Sequence, residues 1–181
     1  AALLTLLATP ALAHTGAGAV HGFTAGLAHP LFGLDHLLAM VAVGLWAGLS
    51  GGRAVVAYPL AFVAVMIAGA IAGMVMGSLP GMEWGIALSV VALGAAVAMR
   101  LPVSLAAGAA LCGGFALFHG WAHGAELPAG ASAASYIAGF ALATAGLHAI
   151  GVLTGSASRF VLPARLAGGA MAAAGLLFAV I

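Results

Sequence analysis

The stretch VSLAAGAALCGGFALFHGWAHG, residues 103–124, contains no Asp, Glu, Lys or Arg, and Glu126 follows two residues beyond it. About 20 apolar residues is the length at which a helix crosses the hydrocarbon of a bilayer. The polar groups at its end are ordered: on a helix His119, His123 and Glu126 fall at i, i+4 and i+7, steps that return to nearly one face. A charge at the bilayer centre costs about 2.5–3.5 kcal/mol on insertion scales, so ionisable residues at this depth read as a functional site with partners.

Working outward, similar apolar windows cover 23–50, 54–78, 82–100, 132–154 and 160–181. Turn-rich breaks separate them: Ser50 to Arg53, Ser78 to Gly81, Arg100 to Pro102, Leu127 to Gly130 and Gly155 to Ser158. These breaks are too short for a soluble domain. The expected fold is all-α, a polytopic transmembrane helical bundle of about six spans forming one domain over 14–181. Residues 1–13 end in Ala11-Leu12-Ala13, the small-x-small pattern of a signal-peptidase site, and read as the remnant of a cleavable signal peptide.

Composition agrees: 65% of residues are hydrophobic, 4% are charged, and the mean hydropathy is +1.28. Such a chain lacks the charged surface of a soluble domain. Its net charge of +1 and scattered arginines offer no basic patch for nucleic acid. The lone Cys112 excludes an intrachain disulfide or a multi-thiolate metal site and reads as a small packing residue. Glycines at helix-packing spacing, Gly44 and Gly48 in the first span and Gly69, Gly73 and Gly77 in the second, let helices approach closely in lipid. Such faces permit homo-oligomers and equally serve packing within one bundle. No internal repeat is evident.

Alternating the spans places Arg53, Arg100, Arg159 and Arg165 on one side and Glu83 and Glu126 on the other. Short cytoplasmic loops are enriched in Lys and Arg, so the arginine side is expected to be cytoplasmic and both termini periplasmic. That agrees with the signal-peptide reading.

The first span carries a second polar run, His29-Pro30-Leu31-Phe32-Gly33-Leu34-Asp35-His36. His29 and His36 share a face of a regular helix, with Asp35 about 100° round, while Pro30 and Gly33 favour an irregular one. This span enters from outside and the fourth leaves to outside, so both runs occupy the same half of the bilayer. Packed together, they would bring four imidazoles and two carboxylates to one polar cavity.

Asp35 has no Lys or Arg near its depth, so its carboxylate needs a proton, a protonated histidine or a metal. Nitrogen and oxygen donors without thiolate suit Ni²⁺, Co²⁺ or Zn²⁺; Mg²⁺ and Ca²⁺ prefer oxygen alone, and Cu(I) favours sulfur. The candidate metal residues are therefore His29, Asp35, His36, His119, His123 and Glu126. His148, deeper in the fifth span, reads first as an interhelical hydrogen-bonding group and second as an inner station. His14 and His21, ahead of the first span, read as a solvated tail or as entrance ligands.

Two rival classes share these residues. A membrane zinc hydrolase would use histidines and an acid to activate water, and a metal sensor or chaperone would bind without transport. No P-loop is present to suggest direct use of ATP, and no organic cofactor is expected.

With both motifs in hand, the chain resembles the HupE/UreJ family of bacterial membrane proteins. The resemblance rests on His29-Pro30-x-x-Gly33-x-Asp35-His36 and Phe118-His119-Gly120-x-Ala122-His123-Gly124-x-Glu126, with the leader and six-span organisation, and covers essentially the whole chain. It implies a permease of the bacterial inner membrane and no enzyme. Its cargo would be a divalent transition metal, Ni²⁺ first and Co²⁺ next with Zn²⁺ behind, and its link to hydrogenase or urease maturation indirect.

Overall fold

A computed structural model describes residues 22–157 and 160–180, and all regular structure among them is helical. The elements are α1 (Gly22–Phe32), α2 (Leu34–Ser50), α3 (Ala54–Met76), α4 (Met82–Met99), α5 (Leu105–Ala125), α6 (Ala133–Ser156) and α7 (Val161–Phe178). Residues 1–13, His14, His21 and Arg159 lie outside the described residues.

Local chemistry sets the helix ends. Ser104 and Ser132 cap α5 and α6 by accepting from the backbone N–H groups of Ala107, at 3.2 Å, and Ser135, at 3.5 Å. Gly77 ends α3 at φ 73°, a left-handed conformation that costs glycine little. The packing role expected of Gly77 does not hold, because a Cβ there would meet nothing within 4 Å. Its carbonyl accepts instead from Trp121 Nε1 at 2.7 Å, which ties the end of α3 to α5.

Five helices, α3 to α7, are long and apolar enough to cross a membrane, and α1 with α2 makes a sixth span if that bent pair counts as one. The expected limits hold within a few residues for the later spans. The first span differs: it is two helices meeting at 82°. Pro30 supplies no backbone donor to the last turn of α1, and Gly33, extended at φ −87° and ψ 107°, sets the corner from which α2 starts. The irregularity expected of Pro30 and Gly33 is therefore present. The shared helix face expected of His29 and His36 is not, since each sits on its own helix.

The core is built on α2, whose residues Ala42 to Leu49 are all buried and which contacts α1, α3, α4, α6 and α7. A helix buried on all sides has no need of a polar face. Around it α3 packs on α5, α2 on α6, α4 on α7 and α1 on α6, with glycine at each contact. A Cβ on Gly44 would lie 2.9 Å from Gly151 Cα, and one on Gly120 would lie 2.8 Å from Met66 Cα. Lipid-facing positions carry large apolar side chains such as Val75, Leu153, Leu162 and Leu166. Cys112 is fully buried in the core.

The described charges segregate by end, as the alternation of spans requires. Arg53 lies in the turn before α3, Arg100 caps α4, and Arg165 is near the start of α7. Arg100 Nη2 donates to Leu49 O at 3.5 Å and Arg165 Nε to Ala98 O at 2.7 Å, drawing both to one end. Glu83, in the first turn of α4, and Glu126, the C-cap of α5, mark the opposite end.

Candidate metal site

The six candidate residues come together near the glutamate end. α1 contributes His29, the first turn of α2 contributes Asp35 and His36, and the last turns of α5 contribute His119, His123 and Glu126. Seven residues along a straight helix span about 10 Å, yet the His29 and His36 ring centroids are 6.3 Å apart because the chain bends between them.

The imidazoles form a column. His29 Nε2 is 3.3 Å from Glu126 Oε2. Ring centroids then step from His29 to His123 at 4.7 Å, from His123 to His36 at 4.8 Å and from His36 to His119 at 4.6 Å. Glu126 at the start of this path is 25% accessible and His29 12%, His123 and His119 are sealed, and His36 between them is 7% accessible beside its partner Asp35 at 25%. The column is thus partly open at Glu126 and at Asp35 and closed at His119.

Hydrogen bonds decide how two of these rings present themselves. His36 Nδ1 lies 2.8 Å from Asp35 Oδ1, which also accepts from the His36 backbone N–H at 2.7 Å. With Nδ1–H donating to the carboxylate, Nε2 keeps its lone pair, and that atom is buried with no hydrogen-bond partner among the described residues. This is the carboxylate–histidine arrangement that orients metal-binding imidazoles. It gives Asp35 Oδ1 a positioning part beside the ligand part expected of it. A Cβ on Gly33 would press on Asp35 Oδ1 at 3.1 Å and His36 Nδ1 at 3.3 Å, so the glycine at the corner also leaves room for this pair.

His119 is oriented from α4. Ser89 Oγ donates its one hydrogen to Ile86 O at 2.6 Å and lies 2.7 Å from His119 Nε2, so it accepts from that nitrogen. The tautomer assigned by this network leaves the lone pair on Nδ1, which is buried and has no hydrogen-bond partner among the described residues. Ser89→Ala should leave the His119 ring free to turn and lower metal affinity by about 10- to 100-fold, as loss of an orienting partner typically does. Equilibrium dialysis of Ni²⁺ against solubilised protein measures it, with the helical circular-dichroism spectrum unchanged.

Aromatic side chains fix the ring planes. Phe140 stacks on His123 at 4.7 Å with planes 14° apart, Tyr136 meets His29 edge-on at 6.0 Å, and Phe62 lies 5.6 Å from His119. None of these, nor Ser89, was singled out from the sequence. The i, i+4 pairing of Tyr136 and Phe140 was legible there, but nothing said that it faced the histidines.

The donor set is four imidazoles and two carboxylates without thiolate, which suits a borderline d-block cation. The rings meet edge to face, and among the described residues no three Asp, Glu, His or Cys groups already surround one ion-sized point. Sharing an ion therefore requires the rings to turn. His148 is apart from this group: it is buried on α6, its ring 5.2 Å from Phe62, and neither ring nitrogen has a hydrogen-bond partner among the described residues. The interhelical hydrogen bond expected of it is absent among the described residues, and the ring beside it is the phenyl of Phe62.

Comparison with known proteins agrees with the family that these motifs resemble. A family model described as HupE / UreJ protein matches residues 2–178. Protein HupE of Rhizobium leguminosarum bv. viciae is 46% identical over 178 residues, which covers 95% of this chain and 92% of that protein. No solved structure matches.

Proposed function

We propose, for a chain that belongs to the HupE/UreJ family, that it is a permease of the bacterial inner membrane taking up a divalent transition metal, Ni²⁺ first and Co²⁺ next. Both termini would lie in the periplasm, and the delivered ion would serve maturation of a metalloenzyme such as hydrogenase or urease. The observation that carries this reading is the column of four imidazoles with an accessible carboxylate at its first ring, Glu126, and another at its third, Asp35, and with its last ring, His119, sealed.

In this reading Glu126 and His29 capture the hydrated ion, with His14 and His21 as entrance ligands. Two carboxylates and neutral imidazoles balance one divalent charge in a region without Lys or Arg, which offsets the cost of shedding water. Because successive rings are 4.6–4.8 Å apart, an ion can engage the next imidazole before leaving the last. Transit needs sites that bind well enough to admit an ion and weakly enough to release it, and a run of similar neutral donors provides that. Release would follow past His148.

The test is uptake of Ni²⁺, Co²⁺ and Zn²⁺ into oriented proteoliposomes by the native chain and by His36→Ala. Saturable flux of one metal, lost in the variant, is expected. Stoichiometric binding without flux would overturn the permease and leave a sensor, a chaperone or a zinc hydrolase.

A further inference from the structure

One stripe of α6 runs past the histidine column and beyond it. Tyr136, Phe140, Thr144 and His148 recur every fourth residue, so they share a face, and all four are buried. Tyr136 borders His29 and Phe140 borders His123. One turn further in comes Thr144. Its hydroxyl donates to Met40 Sδ at 3.3 Å and approaches Met66 Sδ at 3.7 Å. Met40 is one helical turn inward from His36 on α2, and Met66 one turn from Phe62 on α3. His148 follows, a turn below Thr144, with both ring nitrogens buried and without a hydrogen-bond partner among the described residues.

A buried imidazole with two unpartnered nitrogens is costly unless something visits it. Two thioethers at the same level are unusual company for a hydroxyl in an apolar core, where leucine would fill the space without a polar contact. Thioether sulfur is a soft, uncharged donor. We propose that Met40, Met66 and His148 form an inner metal station beside and beyond His119, two thioethers and then an imidazole one turn further in, that takes a soft or borderline d-block cation on its way through the protein. The proposal rests on the transport reading and deepens it.

The chemistry differs from that of the outer cluster. No carboxylate is among the three donors, so the station would hold a divalent ion less firmly than the site above it and release it more readily. Thr144 keeps the sulfurs occupied while no ion is present and would turn its hydroxyl away as one arrives. Phe62, one turn from Met66 toward the arginine end, has its ring 5.6 Å from His119 and 5.2 Å from His148, so an ion moving on to His148 would have to pass it.

The experiment compares the native chain with Met40→Leu/Met66→Leu and with His148→Leu. Leucine keeps the volume of methionine and removes the sulfur, so the double variant is expected to fold. Ni²⁺ flux into proteoliposomes should fall at least tenfold in both variants, while His36→Ala remains inactive. X-ray absorption at the nickel edge of native protein loaded with more than one Ni²⁺ per chain, so that the weaker station also fills, should show sulfur neighbours that the double methionine variant lacks. Native flux and an unchanged nickel spectrum in that variant would overturn the station and leave the permease standing. Methionine-dependent sulfur ligation in a native chain without flux would support the station and overturn transport.

Discussion

His123→Ala is expected to abolish metal accumulation while the protein still inserts and folds. His123 is the hub of the column, with ring centroids 4.7 Å from His29 and 4.8 Å from His36 and the face of Phe140 stacked on it. Removing it takes a donor from the set and also interrupts the path between the outer pair and the inner pair, which are otherwise 6.3 Å apart at His29 and His36. Loss of a partner that merely orients a ligand costs about 10- to 100-fold in affinity, so loss of a central donor should cost at least the upper end of that range. Uptake of Ni²⁺ at matched reconstitution measures it. Asp35→Ala and His36→Ala should behave alike, since the carboxylate holds His36 Nδ1. Near-native uptake by all three variants would remove the proposed site altogether.

The second large effect is on stability. Gly120→Ala with Gly124→Ala should destabilise the bundle, because a Cβ at these positions would lie 2.8 Å from Met66 Cα and 2.9 Å from Ala70 Cα. The partner backbone cannot rotate away as a side chain could. α3 answers with Gly69 and Gly73, whose added Cβ atoms would meet Trp121 N at 3.1 Å and Ala125 N at 3.0 Å, so neither helix has slack to give. Overpacking of this kind costs about 1–3 kcal/mol per site. Gly114→Ala on the same helix is the control: its Cβ would meet nothing within 4 Å, and alanine is the better helix former by about 1 kcal/mol. Thermal unfolding in detergent should therefore show the midpoint falling for the pair and holding or rising for Gly114→Ala. A common response from both would dismiss backbone approach as the force that joins α3 to α5. Metal binding should fall with the pair as well, since His119 and His123 are carried on the same turns.

What the sequence disclosed follows from where its signals are strong. Hydrocarbon-length apolar runs separated by Pro, Gly and Ser made the spans legible, and the rarity of ionisable groups made His29, Asp35, His36, His119, His123 and Glu126 stand out. Their common end followed from alternating the spans. Lateral order was not legible. In lipid both the outside and the inside of a bundle are apolar, so the i, i+4 recurrence of Tyr136 and Phe140 on α6 does not tell which neighbour that face meets, and Phe62, Phe140 and Tyr136 read as ordinary core. Ser89 looked like any small residue of a transmembrane helix until His119 was seen beside it. The corner at Gly33 was foreshadowed by Pro30, but its 82° angle arises from α1 packing on α6, where Gly26 lets the Tyr136 backbone come close. Met40 and Met66 were invisible for a related reason: a methionine in an apolar run signals nothing until a hydroxyl is found pointing at its sulfur.

The corner at Gly33 also bears on the order in which the chain is made. Synthesis delivers the amino-terminal helices first, so His29, Asp35 and His36 enter the bilayer long before α5 and α6 exist to receive them. Until then the bent segment has neither Glu126 and the two α5 imidazoles nor the bed of α6 on which α1 lies. A nascent chain arrested after α4 would carry half of the polar residues with nothing opposite them, exposed to lipid and liable to quality control. Closing the corner against α6 and α5 is therefore a late event of biogenesis, which waits until both helices have been made.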